Sequence, residues 1–524
     1  MNGGSSQRKP KRFFFLRIFF LLAGIGGLFM AFIIAVCVLD THREEEEWNT
    51  LKTVLAKKGL YLEKDLMFPP KPPDEQNFAG IPFLSTLSED KVGNVDVFEI
   101  WNSLTNVHMP YMLSDLPDLS WRDAYMWNPE DIRLILLTRN AVLYPEPPVS
   151  AEGNLLLFEC FKPQMLEIEE AVERPFCKFP IFFEMGPQYP YLHLGVLNET
   201  VLLFSARAVT YLDLGKTDEA LNDIILSWKV AQRLGSDQTI LGAMAVHSSF
   251  LYSLQPLWQG IARHQWNTQQ LEKMQKELAG FNFIQLFKTN QLFEIIWTAG
   301  MNEVVETVYL TKIGIPLLQG IEKIEKFLPI DNISVRINSV VEALFSKVPV
   351  GWIRMNLAHL AETGIDYISK VYLIEDHRID PDVVREQMEV FQSRYEDTLN
   401  PDRIIVKNFK QSLFSDQISQ KAAEGQAFID MASIACIMER FYLKHQRYPE
   451  SVDAISQLSA TRFFRYDIVT GDPYIFIKTL KSFSLYSLGW DKLNNFGQIK
   501  KTASGMEDWI WPASDHNSQI DLVF

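Results

Sequence analysis

From Ile18 to Leu39 the chain runs for 22 residues without a charge. At about 1.5 Å of helical rise per residue, such a segment covers the roughly 30 Å hydrocarbon core of a bilayer. One membrane-spanning helix is therefore expected over 18–39. A cleaved secretory signal has a shorter apolar core of about 7 to 15 residues, so a retained anchor is the better reading, although Ala35-Val36-Cys37 offers a cleavage point. Arg8, Lys9, Lys11, Arg12 and Arg17 precede the span, with no acid among them. Positive flanks stay in the cytoplasm. Residues 1–17 thus form a cytoplasmic tail, and everything after Leu39 lies on the far side. Ala23, Gly27, Ala31 and Ala35 recur every four positions, a ridge against which a second membrane helix can pack closely. Self-association through it is one expectation; the abundance of small residues in membrane helices is the alternative.

That topology decides how composition is read. The chain carries 50 basic and 65 acidic residues, and setting aside the five N-terminal cations leaves 45 against 65 beyond the membrane, a net of about −20. An acidic exterior repels nucleic acid, so no nucleic-acid partner is expected. With 47% hydrophobic and 22% charged residues, the chain is ordinary globular material, long enough for two or three cores. Four cysteines are too few for a disulfide scaffold. Cys160 and Cys177 are near enough in sequence to bridge outside the cytoplasm, with two separate buried thiols as the alternative.

Residues 40–76 read as a stalk and spacer. Arg43-Glu44-Glu45-Glu46-Glu47 is followed by Trp48, Leu51 and Leu55 at helical spacing, and Pro69-Pro70-Lys71-Pro72-Pro73 enforces an extended run. A mainly helical extracytoplasmic body is expected over 77–420, beginning at Asn77-Phe78-Ala79. Asn128-Pro129-Glu130-Asp131 marks a helix start, with Asn as cap, Pro in the first turn and acids at the positive end of the helix dipole. Arg174, in the Pro-flanked break after Glu173, is either an anion contact or a structural arginine. Phe204, Ala208, Tyr211, Gly215, Ala220, Ile224 and Ser227 follow the large, small, aromatic, turn-Gly, small, large, small order of a helical hairpin. Over 201–234 this resembles one tetratricopeptide repeat. A second helical pair, 239–263 and 268–279, places Leu271, Met274 and Leu278 on one face but lacks that consensus. A short solenoid and a plain helical bundle both remain open.

Catalytic signals are sparse. His359 and Glu362 are the one pair spaced to share a helix face as metal ligands, and a metal site needs more. His247 adjoins Ser248 and Ser249, but sequence neighbours point to different helix faces. No GxSxG, HExxH, P-loop or dinucleotide fingerprint occurs. Enzymatic activity is left open, and a non-enzymatic role is preferred.

The last hundred residues are the most informative. Ala422 to His445 forms a helix with Phe428, Met431, Ala435, Met438 and Tyr442 on a broad apolar face, and strand-like runs follow at 474–477 and 482–488. Met438-Glu439-Arg440-Phe441-Tyr442, Arg447-Tyr448-Pro449-Glu450-Ser451, Asp467 to Tyr474, Tyr486 to Asp491 and Asp508-Trp509-Ile510-Trp511 succeed one another. In that order they resemble the motifs of the globular domain of the major pseudopilin of type II secretion. The resemblance implies a small α+β domain over 421–524 and a calcium site in its final loop, with Asp491 at the matching position and Asp508 as a second acid. This loop departs from the pattern: Lys492 replaces a Gly, and 493–497 lacks the acidic run. A Lys ammonium competes with calcium for the same oxygens, so calcium and a metal-free loop both stay open. No prepilin cleavage site precedes the membrane helix near 13–20, so a pilus subunit is not expected.

The whole layout also resembles single-pass membrane proteins of planctomycete and verrucomicrobial bacteria, which implies a bacterial inner-membrane location and no particular activity. The expected fold class is mainly α: a transmembrane helix, a helical-hairpin body and a small C-terminal α+β domain. The expected function is an extracytoplasmic interaction or scaffold protein with a protein partner in the envelope, linked to secretion or envelope assembly. Two alternatives are an anchored hydrolase drawing on His359, Glu362 and His247 in the helical body, and a structural envelope homo-oligomer joined through the membrane ridge.

Overall fold

The computed structural model describes residues 46, 48–57, 70–85, 124–139, 141–179, 191–300, 350–395, 414–455, 466–478, 481–497 and 508–513. The expected anchor at 18–39, with its ridge of Ala23, Gly27, Ala31 and Ala35, lies outside them. Among the described residues no helix is long and apolar enough to cross a membrane. The described residues are mainly helical, with one small antiparallel sheet near the C-terminus. They fall into two compact units, divided at Met67/Phe68, Ile295/Ile296, Thr363/Gly364 and Arg394/Tyr395. In the smaller unit a helix runs through 48–57, with Leu51 and Leu55 fully buried at their helical spacing.

The larger unit begins with a clamp. Asn77 is wholly buried; its Nδ2 donates to Lys178 O at 2.9 Å and its Oδ1 accepts from Lys178 N at 2.8 Å. Arg174 Nη1 donates to the carbonyls of Asp74 and Asn77. Of the two readings of Arg174, the structural one is observed. Helix α1 (Pro129–Leu137) starts as expected, the Asn128 side chain accepting from Glu130 N and Asp131 N while the Asp131 carboxylate accepts from Asn128 N. Helices α2 (Ala151–Phe158) and α3 (Lys162–Ala171) follow.

Helices α4 (Leu192–Asp213) and α5 (Thr217–Leu234) form the expected hairpin. Gly215 turns the chain at φ +69°, a conformation that only a residue without Cβ adopts cheaply. Phe204, Ala208, Ala220, Ile224 and Ser227 are fully buried, so the small residues sit where the helices approach. Arg207 of α4 makes two 2.7 Å bonds to Asp223 of α5 and a 2.8 Å bond to Glu169 of α3, joining three helices through one guanidinium. Helices α6 (Ile240–Ala262, capped by Thr239) and α7 (Thr268–Leu278, with an Asn267–Gln270 capping box) form the second pair, and Leu271, Met274 and Leu278 are fully buried. Then come α8 (Phe283–Gly300), α9 (Val350–Val371) and α10 (Pro381–Tyr395).

Helix α11 (Asp416–His445) departs from expectation. Its residues are buried on all sides from Ala422 to Glu439, where one broad apolar face was expected. It packs against α6 and α7 on one side and against β2 and β3 on another. The expected domain start at 421 therefore falls inside a helix whose surface is shared, and the last hundred residues belong to the same compact unit as the hairpins. The sheet has the order β1 (Ile475–Lys478), β2 (Phe483–Ser487), β3 (Trp509–Trp511), all antiparallel. Registers are Ile475↔Tyr486 and Lys478↔Phe483 for the first pair, and Leu485↔Trp511 and Ser487↔Trp509 for the second. Trp258 of α6 donates its indole N–H to Pro512 O at 3.0 Å, tying the third strand's exit to the helical body.

Of the two readings of Cys160 and Cys177, separate thiols are observed: both are free cysteines. Cys160 Sγ lies against Val142 O and Cys177 Sγ against Arg233 O. The thiols sit on opposite ends of the α3 segment, whose helix keeps them apart; nearness in sequence did not become nearness in space.

Candidate functional site

The two acids picked out in the C-terminal loop are the frame of a tightly held turn. Gly489 to Gly497 leaves β2 and folds back through four positive-φ residues, Gly489 (68°), Lys492 (58°), Phe496 (59°) and Gly497 (62°). Such backbone is costly for residues with a Cβ and persists only where the surroundings fix it. Those surroundings are visible. Asp491 Oδ1 accepts from Leu493 N at 3.0 Å, and Asn494 Oδ1 from Phe496 N at 2.8 Å. Asp508, just before β3, takes Gly497 N at 2.9 Å and Asn495 N at 3.1 Å. Burial raises the Asp508 carboxyl above its ordinary range, and those two amides oppose the shift. Trp490 is buried at the root, its indole N–H reaching Asp416 in the first turn of α11.

Asp491 accepts a backbone N–H through Oδ1, Asp508 through both oxygens, and the neighbouring Lys492 supplies a cation of its own. Among the described residues no group of three or more His, Cys, Asp or Glu is gathered to hold a metal ion.

Lys492 locks the loop to the start of α10. Its Nζ contacts Asp380 at 2.5 Å and Asp382 at 2.6 Å; Arg378 also pairs with Asp380, and Arg385 with Asp382. Burial works against the Lys492 charge, yet the two aspartates hold its pKa above the ordinary lysine range. Hydrogen bonds from Lys492 and then Arg385 lower that of Asp382. With its backbone fixed and its root buried, the loop leaves Leu493 and Phe496 in solvent, 64% and 68% exposed.

The second cluster is polar and internal. Helix α11 carries three buried acids, each paired with a histidine from another segment. Glu424 faces His247 of α6 at 3.1 Å and also Lys421 at 2.6 Å. Glu439 accepts from Tyr448 OH at 2.8 Å and meets His264, in the α6–α7 turn, at 2.8 Å. Asp430 meets His377 at 2.8 Å, accepts from Tyr474 OH at 3.0 Å and holds Gln426. His247 precedes His264 as Glu424 precedes Glu439, so α6 and α11 run side by side in the same direction. Burial raises the Glu439 carboxyl, opposed by His264 and Tyr448. Burial also lifts the Tyr448 and Tyr474 hydroxyls well above the usual phenol range, and the facing carboxylates add to it.

The residues named for catalysis are not brought together. His247 is closed off in the core by Glu424 and by the edge of Phe283. His359, half-buried, and Glu362, exposed, both belong to the smaller unit. Sequence reading missed the roles of Glu424, Asp430, Glu439, His264 and His377. An acid in an otherwise apolar helix stretch was the available signal at 430, since such a group needs a buried partner.

No family model, curated protein or solved structure matches the chain.

Proposed function

We propose that the chain is a membrane-anchored, extracytoplasmic interaction protein whose C-terminal loop contacts a partner in the bacterial envelope, with secretion or envelope assembly as the setting. The observation that carries this reading is the pairing of a rigid backbone with exposed apolar side chains at Leu493 and Phe496. Apolar side chains held out on a pre-ordered loop lose little conformational freedom on binding, which is how binding hot spots gain their strength. The uncharged run at 18–39 and the five preceding cations support the anchor and its orientation. The pseudopilin-like order of motifs supports the envelope setting, and the hairpin resembling a tetratricopeptide repeat supports a binding body.

A photo-crosslinking side chain placed at Phe496 of the full-length protein, in its native membrane, tests the proposal. Lys273, exposed on α7, serves as the control position. A discrete protein adduct from 496 and none from 273 is expected. An identical adduct pattern from both positions, or no protein adduct from 496, would overturn it.

A further inference from the structure

Resting on the interaction reading above, we infer that the loop and the neighbouring face of α10 together receive a cationic amphipathic segment of a partner protein: an apolar anchor followed by basic residues. The apolar half of the surface is Leu493 and Phe496. The charged half begins beside them, because Lys492 is bonded to Asp382 in the first turn of α10. From Asp382 the helix presents Glu386 and Glu389, all three exposed and at the spacing that keeps residues on one face. That stripe extends about 10 Å from the loop at 1.5 Å per residue.

The charges along it are unequal. Asp382 is compensated twice, by Lys492 and Arg385. Among the described residues no cation pairs with Glu386 or Glu389, and Asp491 bonds only to its own loop's backbone. The surface thus offers apolar contact at one end and uncompensated negative charge at the other. A partner complementary to both carries Leu- or Phe-like anchors and, within about three turns of helix, Lys or Arg. An acidic or purely apolar partner meets only half of it. A second copy of this acidic chain would bring like charge to the stripe.

The test uses the full-length protein in detergent micelles and two fluorescein-labelled helical peptides, one of Leu and Lys at amphipathic spacing, the other of Leu and Glu. Anisotropy is expected to show binding of the Leu–Lys peptide alone, weakening as salt is raised. Leu493→Ser with Phe496→Ser, and separately Glu386→Gln with Glu389→Gln, should each weaken binding about tenfold. The second pair should also flatten the salt dependence. All four positions are exposed, and unchanged melting curves confirm that the fold is kept. Glu75→Gln with Glu152→Gln, exposed acids elsewhere, should leave affinity unchanged. Equal weakening by that control pair would reduce the effect to net charge and overturn the inference. So would equal binding of both peptides, or self-association that disappears in the Leu493→Ser, Phe496→Ser variant. A Phe496 adduct persisting while the Leu–Lys peptide fails to bind would leave the interaction reading standing and remove only the cationic class of partner.

Discussion

Asp467 shows how far burial alone can move a single group. It is 3% exposed, and its oxygens accept from Val469 N, Ser487 Oγ and Leu488 N. Burial nevertheless pushes the carboxyl up to about 6. The folded state therefore binds this proton more readily than the unfolded chain, whose Asp titrates near 4. By linkage, the group's contribution to stability rises as pH falls from about 6 towards 4, and it is smallest at neutral pH, where the charge is buried. The difference of about two pKa units corresponds to about 3 kcal/mol. Urea midpoints compared at pH 7 and pH 5 should show a gain on acidification that is smaller in Asp467→Asn, and the Asp467 carboxyl carbon should titrate near 6 by NMR. A midpoint near 4 would refute the assignment. Nothing in the sequence around Asp467 distinguishes it from a surface turn acid; its burial comes from Ser487 and Leu488, twenty residues on.

Among the elements, α11 and the α4–α5 hairpin teach opposite lessons. Glu439 is fully buried and holds both His264 and Tyr448. Removing one partner from such a buried arrangement leaves the others unsatisfied and costs about 3 kcal/mol or more. Glu439→Ala should therefore lower the urea midpoint sharply. Glu439→Gln, which keeps an acceptor for Tyr448, should lower it less; equal effects would mean that only side-chain volume matters there. Gly215 is the reverse case. An added Cβ would meet nothing within 4 Å, so the penalty of Gly215→Ala lies in its backbone, at φ +69°. A left-handed conformation costs an Ala about 1 kcal/mol. A melting temperature lower by a few degrees is expected, with helix content by circular dichroism unchanged.

At the scale of the whole molecule, α11 makes the C-terminal region inseparable from the hairpins of its unit. A chain ending at Gln420 keeps the first residues of that helix and loses the rest, uncovering the faces of α6 and α7 that it packs against. Burial of apolar surface is the main favourable term in folding. The truncated chain should accordingly lose cooperative thermal unfolding and bind a hydrophobic dye. A cooperative transition retained in that chain would mean that the helical body has a core of its own. Partner studies on this protein are better made with surface substitutions such as those at Leu493 and Phe496 than with truncations.

Local patterns were enough for much of the framework. The Asn128 cap, the turn at Gly215, the buried Ala208 and Ala220, the α6–α7 pair and the first two strands were all legible, because each depends on residues within a few positions of one another. The third strand was not: Trp509–Trp511 is three residues long, too short for alternation to register. Nor were the histidine partners of Glu424, Asp430 and Glu439, which lie 53 to 177 positions away in the chain. The sequence by itself determined the helix start at Asn128, the α4–α5 hairpin and the α6–α7 pair, each written in residues close together in the chain. Only the tertiary structure decided that α11 is buried on every side, that Asp508 closes a loop through backbone amides, that Cys160 and Cys177 stay apart and that Leu493 and Phe496 face solvent. Those outcomes depend on which distant surfaces meet, and a local hydrophobic pattern carries no record of that.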